Sequence, residues 1–173
     1  MKWIFFPFII LFCCSEALTA QLNGSKSAAH IDINIGPELG IVADANNFFY
    51  FMIIGGSAEA EMKFGERFAG TLMSGVNVYI GKKIYDFRAG NIIVIPLKAG
   101  IKYYIKPSWY LGENAGVGFF NSEMKAKFGY SSSLGHKFML RGMPAFDISL
   151  KADVYSGNGG SITSVGIRGA YQF

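Results

Sequence analysis

The sequence predicts an all-β chain that closes into a single up-and-down antiparallel β-barrel of about eight strands. Three observations carry that expectation. Apolar residues recur at every second position over segments of about ten to thirteen residues, the period of a strand with one face in each environment. Clusters of Gly, Asn, Ser or Pro separate those segments. After the first twenty residues no stretch is apolar over the ~20 residues that a membrane-spanning helix needs.

The segments follow in order. Residues 29–42 set Ile31, Ile33, Ile35, Leu39 and Ile41 against Asp32, Asn34, Gly36, Glu38 and Gly40, and Pro37 on the apolar side predicts a bulge or bend. Residues 53–64 set Ala58, Ala60, Met62 and Phe64 against Ser57, Glu59, Glu61 and Lys63, before a short turn at Gly65-Glu66-Arg67. Residues 69–81 oppose Leu72, Val76, Val78 and Ile80 to Gly75, Asn77 and Tyr79, and the polar stretch 82–91 reads as a loop. Residues 92–105 oppose Leu97, Ala99, Ile101, Tyr103 and Ile105 to Lys98, Gly100, Lys102 and Tyr104, ending in the turn Lys106-Pro107-Ser108.

The fifth segment, 109–120, is the weakest. Ala115, Val117 and Phe119 oppose Asn114, Gly116 and Gly118, but strict alternation puts Glu113 on the apolar face, and a bulge near Gly112 would repair this. Residues 125–138 oppose Ala126, Phe128, Tyr130 and Leu134 to Lys125, Lys127, Gly129, Ser131, Ser133 and Lys137. Residues 145–155 oppose Phe146, Ile148, Leu150, Ala152 and Val154 to Asp147, Ser149, Lys151, Asp153 and Tyr155, and Gly157-Asn158-Gly159-Gly160 is a turn. The last segment, 162–173, carries Val165, Ile167, Tyr171 and Phe173 on one face and Ser164, Gly166, Arg168, Ala170 and Gln172 on the other. Such short connections favour a continuous meander whose even strand count returns both ends to one side.

Ahead of the barrel domain, 29–173, residues 1–20 read as a signal peptide and 21–28 as a flexible leader. Lys2 supplies a positive start, residues 3–14 an apolar run too short to span a bilayer, and residues 15–20 a small and polar exit. Cleavage fits after Ala17 or after Ala20. A lipoprotein reading on Cys13 or Cys14 would set Phe12 or Cys13 where a small residue is wanted. Both cysteines of the chain lie in this segment, so export to a disulfide-permissive compartment brings no disulfide with it. The net charge of +4 with 16% charged residues comes without a basic patch interleaved with aromatics, which argues against nucleic acid.

Alternation alone would also suit a soluble lipocalin-like binding barrel. Three features favour a transmembrane barrel instead. The polar face is rich in Gly, Ser and Ala among charges of both signs, as a narrow interior requires. Aromatic residues collect near strand ends, where an interfacial girdle is expected: Phe48, Phe49, Tyr50, Tyr103, Tyr104, Trp109, Tyr110, Phe119, Phe120, Phe138, Phe146, Tyr155, Tyr171 and Phe173. The last strand also runs to an aromatic residue without a polar tail.

The stretch Ser164-Val165-Gly166-Ile167-Arg168-Gly169-Ala170-Tyr171-Gln172-Phe173 resembles the C-terminal assembly signal of Gram-negative outer-membrane proteins, with Gly169 at an alternate position where a larger apolar residue is usual. Residues 95–104 and 110–118 are similar to segments of the outer membrane protein β-barrel domain family, the small porin-like barrels of OmpA and OmpX type. This resemblance implies an outer-membrane location, surrounding lipid as a partner, and barrel-assembly machinery that reads Val165, Ile167, Tyr171 and Phe173. It implies no shared catalytic motif.

Chemistry-bearing groups are sparse. His30 and His136 have no tight ligand spacing to carboxylates, so neither a metal nor a cofactor is expected. Ser131 to Ser133 precede His136, but that histidine is expected at the rim opposite to where lipid-modifying barrels hold theirs. Gly157 to Gly160 lacks the following helix of a phosphate loop. The informative set is the polar face itself: Asp32, Glu38, Glu59, Glu61, Asp147 and Asp153 against Lys63, Lys98, Lys102, Lys125, Lys127, Lys137, Lys151 and Arg168. If the second and fourth segments run in one direction, Glu59 should lie level with Lys98 and Glu61 with Lys102. A charge network that fills the lumen predicts a non-enzymatic structural or surface-interaction barrel; a thin cation-lined path would instead make a small porin.

Overall fold

A computed structural model describes residues 31–43, 49–84, 87–121, 125–139, 146–157 and 160–173. The expected signal peptide, the leader, His30 and Phe48 lie outside these residues, as does the side chain of Lys125. The elements are β1 (Ile31–Val42), β2 (Tyr50–Phe64), β3 (Phe68–Gly81), β4 (Lys83–Ile84), β5 (Phe87–Arg88), β6 (Ile92–Lys106), β7 (Trp109–Phe120), β8 (Lys125–Phe138), β9 (Phe146–Gly157) and β10 (Gly160–Gln172). Eight of them form one closed antiparallel barrel in the order β1-β2-β3-β6-β7-β8-β9-β10, with β10 returning to β1. The small β4–β5 hairpin folds within the stretch read as a loop, which is long enough to turn back on itself.

Closure rests on β1 against β10. Glu38 pairs with Arg168 and Ile41 with Val165, so both strands present the same parity to the interior. Pro37 makes no bulge. The β1–β2 register runs unbroken from Ile31↔Met62 to Ile41↔Met52, and the β10 ladder drops only the pairs at Gly36 and Pro37 before resuming in register. Proline has no N–H to give, so pairing lapses there without an inserted residue.

Strand β7 is likewise regular. Its ladders to β6 and β8 pass through Gly112 without a shift, so Glu113 does stand on the outer face, opposite Ile101 and Ser132. The expected bulge near Gly112 is absent. The irregularity between these strands falls between Tyr104 and Lys106, at the turn into β7.

The barrel has its apolar face outward. Ile41 is 61% exposed and Ile167 58%, whereas Glu61 has no exposed surface and Lys98 and Lys102 are 1% exposed. A soluble binding barrel has the reverse polarity. Inside, glycines let neighbouring strands coil closely: a Cβ on Gly100 would lie 2.0 Å from the Glu113 carbonyl oxygen. Gly100→Val should therefore prevent closure, seen as loss of the faster-migrating unheated form in electrophoresis. Gly90→Ala, where nothing lies within 4 Å of a Cβ, should fold as the parent; equal behaviour of the two variants would show that this close approach does not govern closure.

Candidate functional site: the lumenal ion-pair network

Inward-facing positions divide the lumen into layers. Toward the end that carries both barrel termini, Lys102 of β6 is the central cation. Its Nζ donates to Glu59 Oε1 at 2.5 Å and Glu61 Oε2 at 3.0 Å, stands 3.8 Å from Asp147 Oδ2, and lies 4.4 Å from the centre of the Tyr110 ring. Glu61 of β2 is the matching anion: Lys137 donates to it at 2.9 Å, and the Tyr104 hydroxyl donates to its other oxygen. Tyr110 donates to Asp147 at 2.8 Å. At the rim below, Lys63 is half-exposed and 4.0 Å from Asp32.

A second layer occupies the middle. Lys151 of β9 donates to both oxygens of Glu38 at 3.1 and 3.0 Å and stands 3.3 Å from Asp153. Lys98 donates to the other Asp153 oxygen at 2.6 Å and to Ser131 at 3.1 Å. Arg168 joins the layers: it donates to Ser57 at 2.8 Å and to the Asn34 carbonyl at 3.2 Å, and stands 3.7 Å from Glu38 and 4.0 Å from Glu59. Ser57 in turn donates to Glu38 at 2.6 Å. Asp32, Glu38, Glu59, Glu61, Asp147 and Asp153 are thus buried with Lys98, Lys102, Lys137, Lys151 and Arg168, six carboxylates against five cations. This near balance is what makes burial tolerable, since a charge taken out of water must be compensated by a partner and by hydrogen bonds.

Toward the loop end the inward positions turn apolar: Val42, Ile53, Tyr79, Val94, Phe120, Tyr155 and Ile162 form one buried cluster. Phe120 and Tyr155 meet edge to face at 5.5 Å, and Lys98 sits 4.4 Å from the centre of the Tyr155 ring at the boundary. Here the girdle expectation needs correction. Tyr104, Tyr110, Phe120 and Tyr155 face the lumen, and Tyr50 packs against the inner cluster. Their parity, shared with Lys102, Asn114, Gly118 and Asp153, was the available signal, and position near a strand end obscured it. Phe49, Tyr103, Trp109, Phe119, Phe138, Phe146 and Phe173 are exposed instead.

One charge pairing also differs. Glu61 does meet Lys102, but Glu59 turns to Lys102 rather than Lys98, and Lys98 reaches across to Asp153. Glu59, Met73 and Lys98 share one hydrogen-bonded row across β2, β3 and β6. Barrel strands are tilted, so such a row climbs around the wall and its members are not level. Lys127 leans over the Phe120 ring at 4.9 Å, at the loop end. His136 faces outward between the Trp109 and Phe138 rings, 4.7 and 4.4 Å away, as part of the aromatic rim. Among the described residues no group of three His, Cys, Asp or Glu is disposed to hold a metal ion.

Among the described residues the lumen holds two small gaps. A gap bordered by Glu38, Asn77, Lys151 and Arg168 measures ≈ 20 Å³, and one by Glu59, Asn114, Ser131 and Ser149 ≈ 10 Å³. Each has room for about one water molecule.

An apolar exterior around a charged interior defines the class: a small up-and-down barrel of the membrane type. No family model and no curated protein matches the sequence. Solved structures do match in fold. The chain is similar to the Yersinia pestis outer membrane protein Ail in a phospholipid bilayer nanodisc, with 15% identity over 84% of this chain and 99% of that one, at a TM-score of 0.57. It is similar to the outer membrane protein OprG of Pseudomonas aeruginosa, with 14% identity over 86% and 98%, at 0.56. It is also similar to Neisserial surface protein A, with 10% identity over 84% and 98%, at 0.61. These structural neighbours are eight-stranded outer-membrane barrels of Gram-negative bacteria, and at such identities the likeness is one of fold.

Removing one member of a buried pair strands its partner at a cost of about 3–5 kcal/mol. Glu61→Ala, which strips Lys102, Lys137 and Tyr104 of a shared acceptor, should lower unfolding stability by about that much. Lys63→Ala at the exposed rim should cost no more than about 1 kcal/mol. Urea titration of protein refolded into vesicles measures both, and equal losses would remove Glu61 from the centre of the network.

Proposed function

We propose that the chain is an integral outer-membrane β-barrel whose lumen is a closed structural core, serving as a non-enzymatic membrane-anchored scaffold that meets partners at its loop end. The observation that carries this reading is the filled interior: two layers of ion pairs, an apolar layer beyond them, and gaps of water size. A permeation path needs continuous hydrated space, whereas here each buried cation is held by a carboxylate. Balanced lumenal charge gives no single-sign lining to select an ion.

Membrane placement is supported by the exposed Ile, Leu, Val and Phe side chains on every barrel strand and by the aromatic rim at the termini end. In hydrocarbon all backbone groups must find partners within the protein, which a closed barrel achieves. Residues 1–20 act as the cleaved export signal in this reading, and 21–28 as a leader. The termini end is periplasmic, where Tyr171 contacts both Phe146 and Phe173 edge to face at 5.7 and 4.7 Å. Val165, Ile167, Tyr171 and Phe173 form the outward face that assembly machinery reads.

In planar bilayers the purified protein should give no reproducible conductance steps. Steps that vanish when Lys98 and Lys102 are replaced would overturn the closed-core reading in favour of a small porin. Deleting Phe173 should reduce the amount of barrel recovered in the outer membrane of cells while leaving refolding of purified protein into vesicles near that of the parent. Undiminished recovery in cells would deny Phe173 its role in assembly.

A further inference from the structure

The other lysines of β6 point into the lumen. Lys98 and Lys102 share their parity with Tyr104, and strict alternation would add Lys106 to them. It does not join them. The register of β6 against β7 shifts between Tyr104 and Lys106, so that Tyr104 pairs with Tyr110 inside while Lys106 pairs with Trp109. Directly opposed residues share a face of the sheet, and Trp109 is outside, 45% exposed. One extra residue, Ile105, has thus turned an exposed lysine away from the lumen and onto the outer wall.

The row that Lys106 joins is built from donors. Trp109 pairs on its other side with His136, and these are the outermost pairs of the β6–β7 and β7–β8 ladders at the termini end. His136 is held between the Trp109 and Phe138 rings, and its Nδ1 is enclosed without a hydrogen-bond partner. A proton on that nitrogen would be buried unpaired, so the neutral ring carries its proton on Nε2, as a donor. The Trp109 indole N–H and the Lys106 ammonium are donors as well. Carboxylates are lacking. The flanking connections 107–108 and 139–145 hold no acidic residue, and Glu66 of the β2–β3 turn is offset by Arg67 beside it. Glu113 lies two outward positions deeper along β7, where it accepts from Ser132.

In the membrane placement proposed above, this row stands at headgroup level, where tryptophan anchors and lysine meets phosphate. A zwitterionic headgroup would bring an ammonium of its own, for which the row has no carboxylate. An anionic headgroup brings phosphate acceptors and a net charge that Lys106 matches. We infer that Lys106, Trp109 and His136 form a binding site for the headgroup of an anionic phospholipid in the leaflet at the termini end. Lys106 supplies the charge, and the two rings supply hydrogen-bond donors. This rests on the membrane reading, and extends it by naming the class of lipid that the barrel holds at one rim.

Trp109 is the sole tryptophan of the chain once residues 1–20 are removed, so the site carries its own reporter. That chain is refolded into phosphatidylcholine vesicles containing a tracer with brominated acyl chains, either phosphatidylglycerol or phosphatidylcholine, at equal mole fraction and low ionic strength. Quenching of Trp109 should give an association constant about fivefold higher for phosphatidylglycerol, the ~1 kcal/mol that a lysine near an anionic surface supplies. Lys106→Gln should bring the two tracers to equality, and Lys106→Arg should keep the preference. Lys83→Gln, at the loop end, should behave as the parent. Equal association of the two tracers with the parent, a preference that survives Lys106→Gln, or one lost equally with Lys83→Gln would overturn the site. Unheated mobility and vesicle flotation are scored for each variant. Protein that floats and folds but shows no preference refutes the site alone, whereas protein that fails to float refutes the membrane reading.

Discussion

The pairing of β1 with β10 is the constraint on which the rest of the structure depends. Once that seam joins Glu38 to Arg168 and Ile41 to Val165, every strand around the ring has one parity facing in and the other facing out. Strand side chains alternate with a period of two, so a slip of one residue at the seam would turn Arg168 outward and drive Ile167 into the charges. Register and electrostatics therefore specify each other. The carboxylate of Glu38 is buried because the seam is in register, and the seam is held in register partly because Glu38 finds Arg168, Lys151 and Ser57 there.

The lumen holds opposite charges arranged in series rather than as separate pairs. Lys102 contacts three carboxylates, Glu61 accepts from three donors, and Arg168 spans both layers. A network of this kind is costly when incomplete and rigid when complete, because each group's burial is compensated only by its neighbours. The apolar cluster of Val42, Ile53, Tyr79, Val94, Phe120, Tyr155 and Ile162 occupies the same lumen toward the loop end, packing rings and branched side chains where the ion pairs end. Ion pairs and apolar packing thus occupy successive depths of one lumen.

Strand order, polarity and the identity of the inward carboxylates and cations were legible in the sequence, because alternation leaves only one choice of face per strand. Partner choice was not. Glu59 shares a sheet row with Lys98 yet bonds Lys102, since strand tilt sets depth and no local pattern encodes tilt. The aromatic residues divided along the same line. Tyr103 and Tyr104 are adjacent and equally close to a strand end, yet one is outside and the other meets Glu61 inside. Parity decides between them where proximity to a rim does not. Pro37 and Glu113 suggested bulges because each breaks a local preference, but the ladders keep register through both.

Glu113 therefore belongs to a different category from the lumenal charges. Glu38, Glu59 and Glu61 obey the alternation, and burial with cations explains them without further function. A carboxyl on the lipid face obeys no rule of barrel stability: an apolar residue there would suit the bilayer better, and a regular ladder shows that the backbone could have turned it nowhere else. Locally unfavourable choices in an otherwise consistent sequence are where function is expected to reside. Ser132 and Tyr130 join Glu113 on the outer wall, so the departure from pattern is shared by three hydrogen-bonded side chains on two neighbouring strands. The lumenal charges follow from the alternation and from their partners, whereas the polar residues on the outer wall follow from neither.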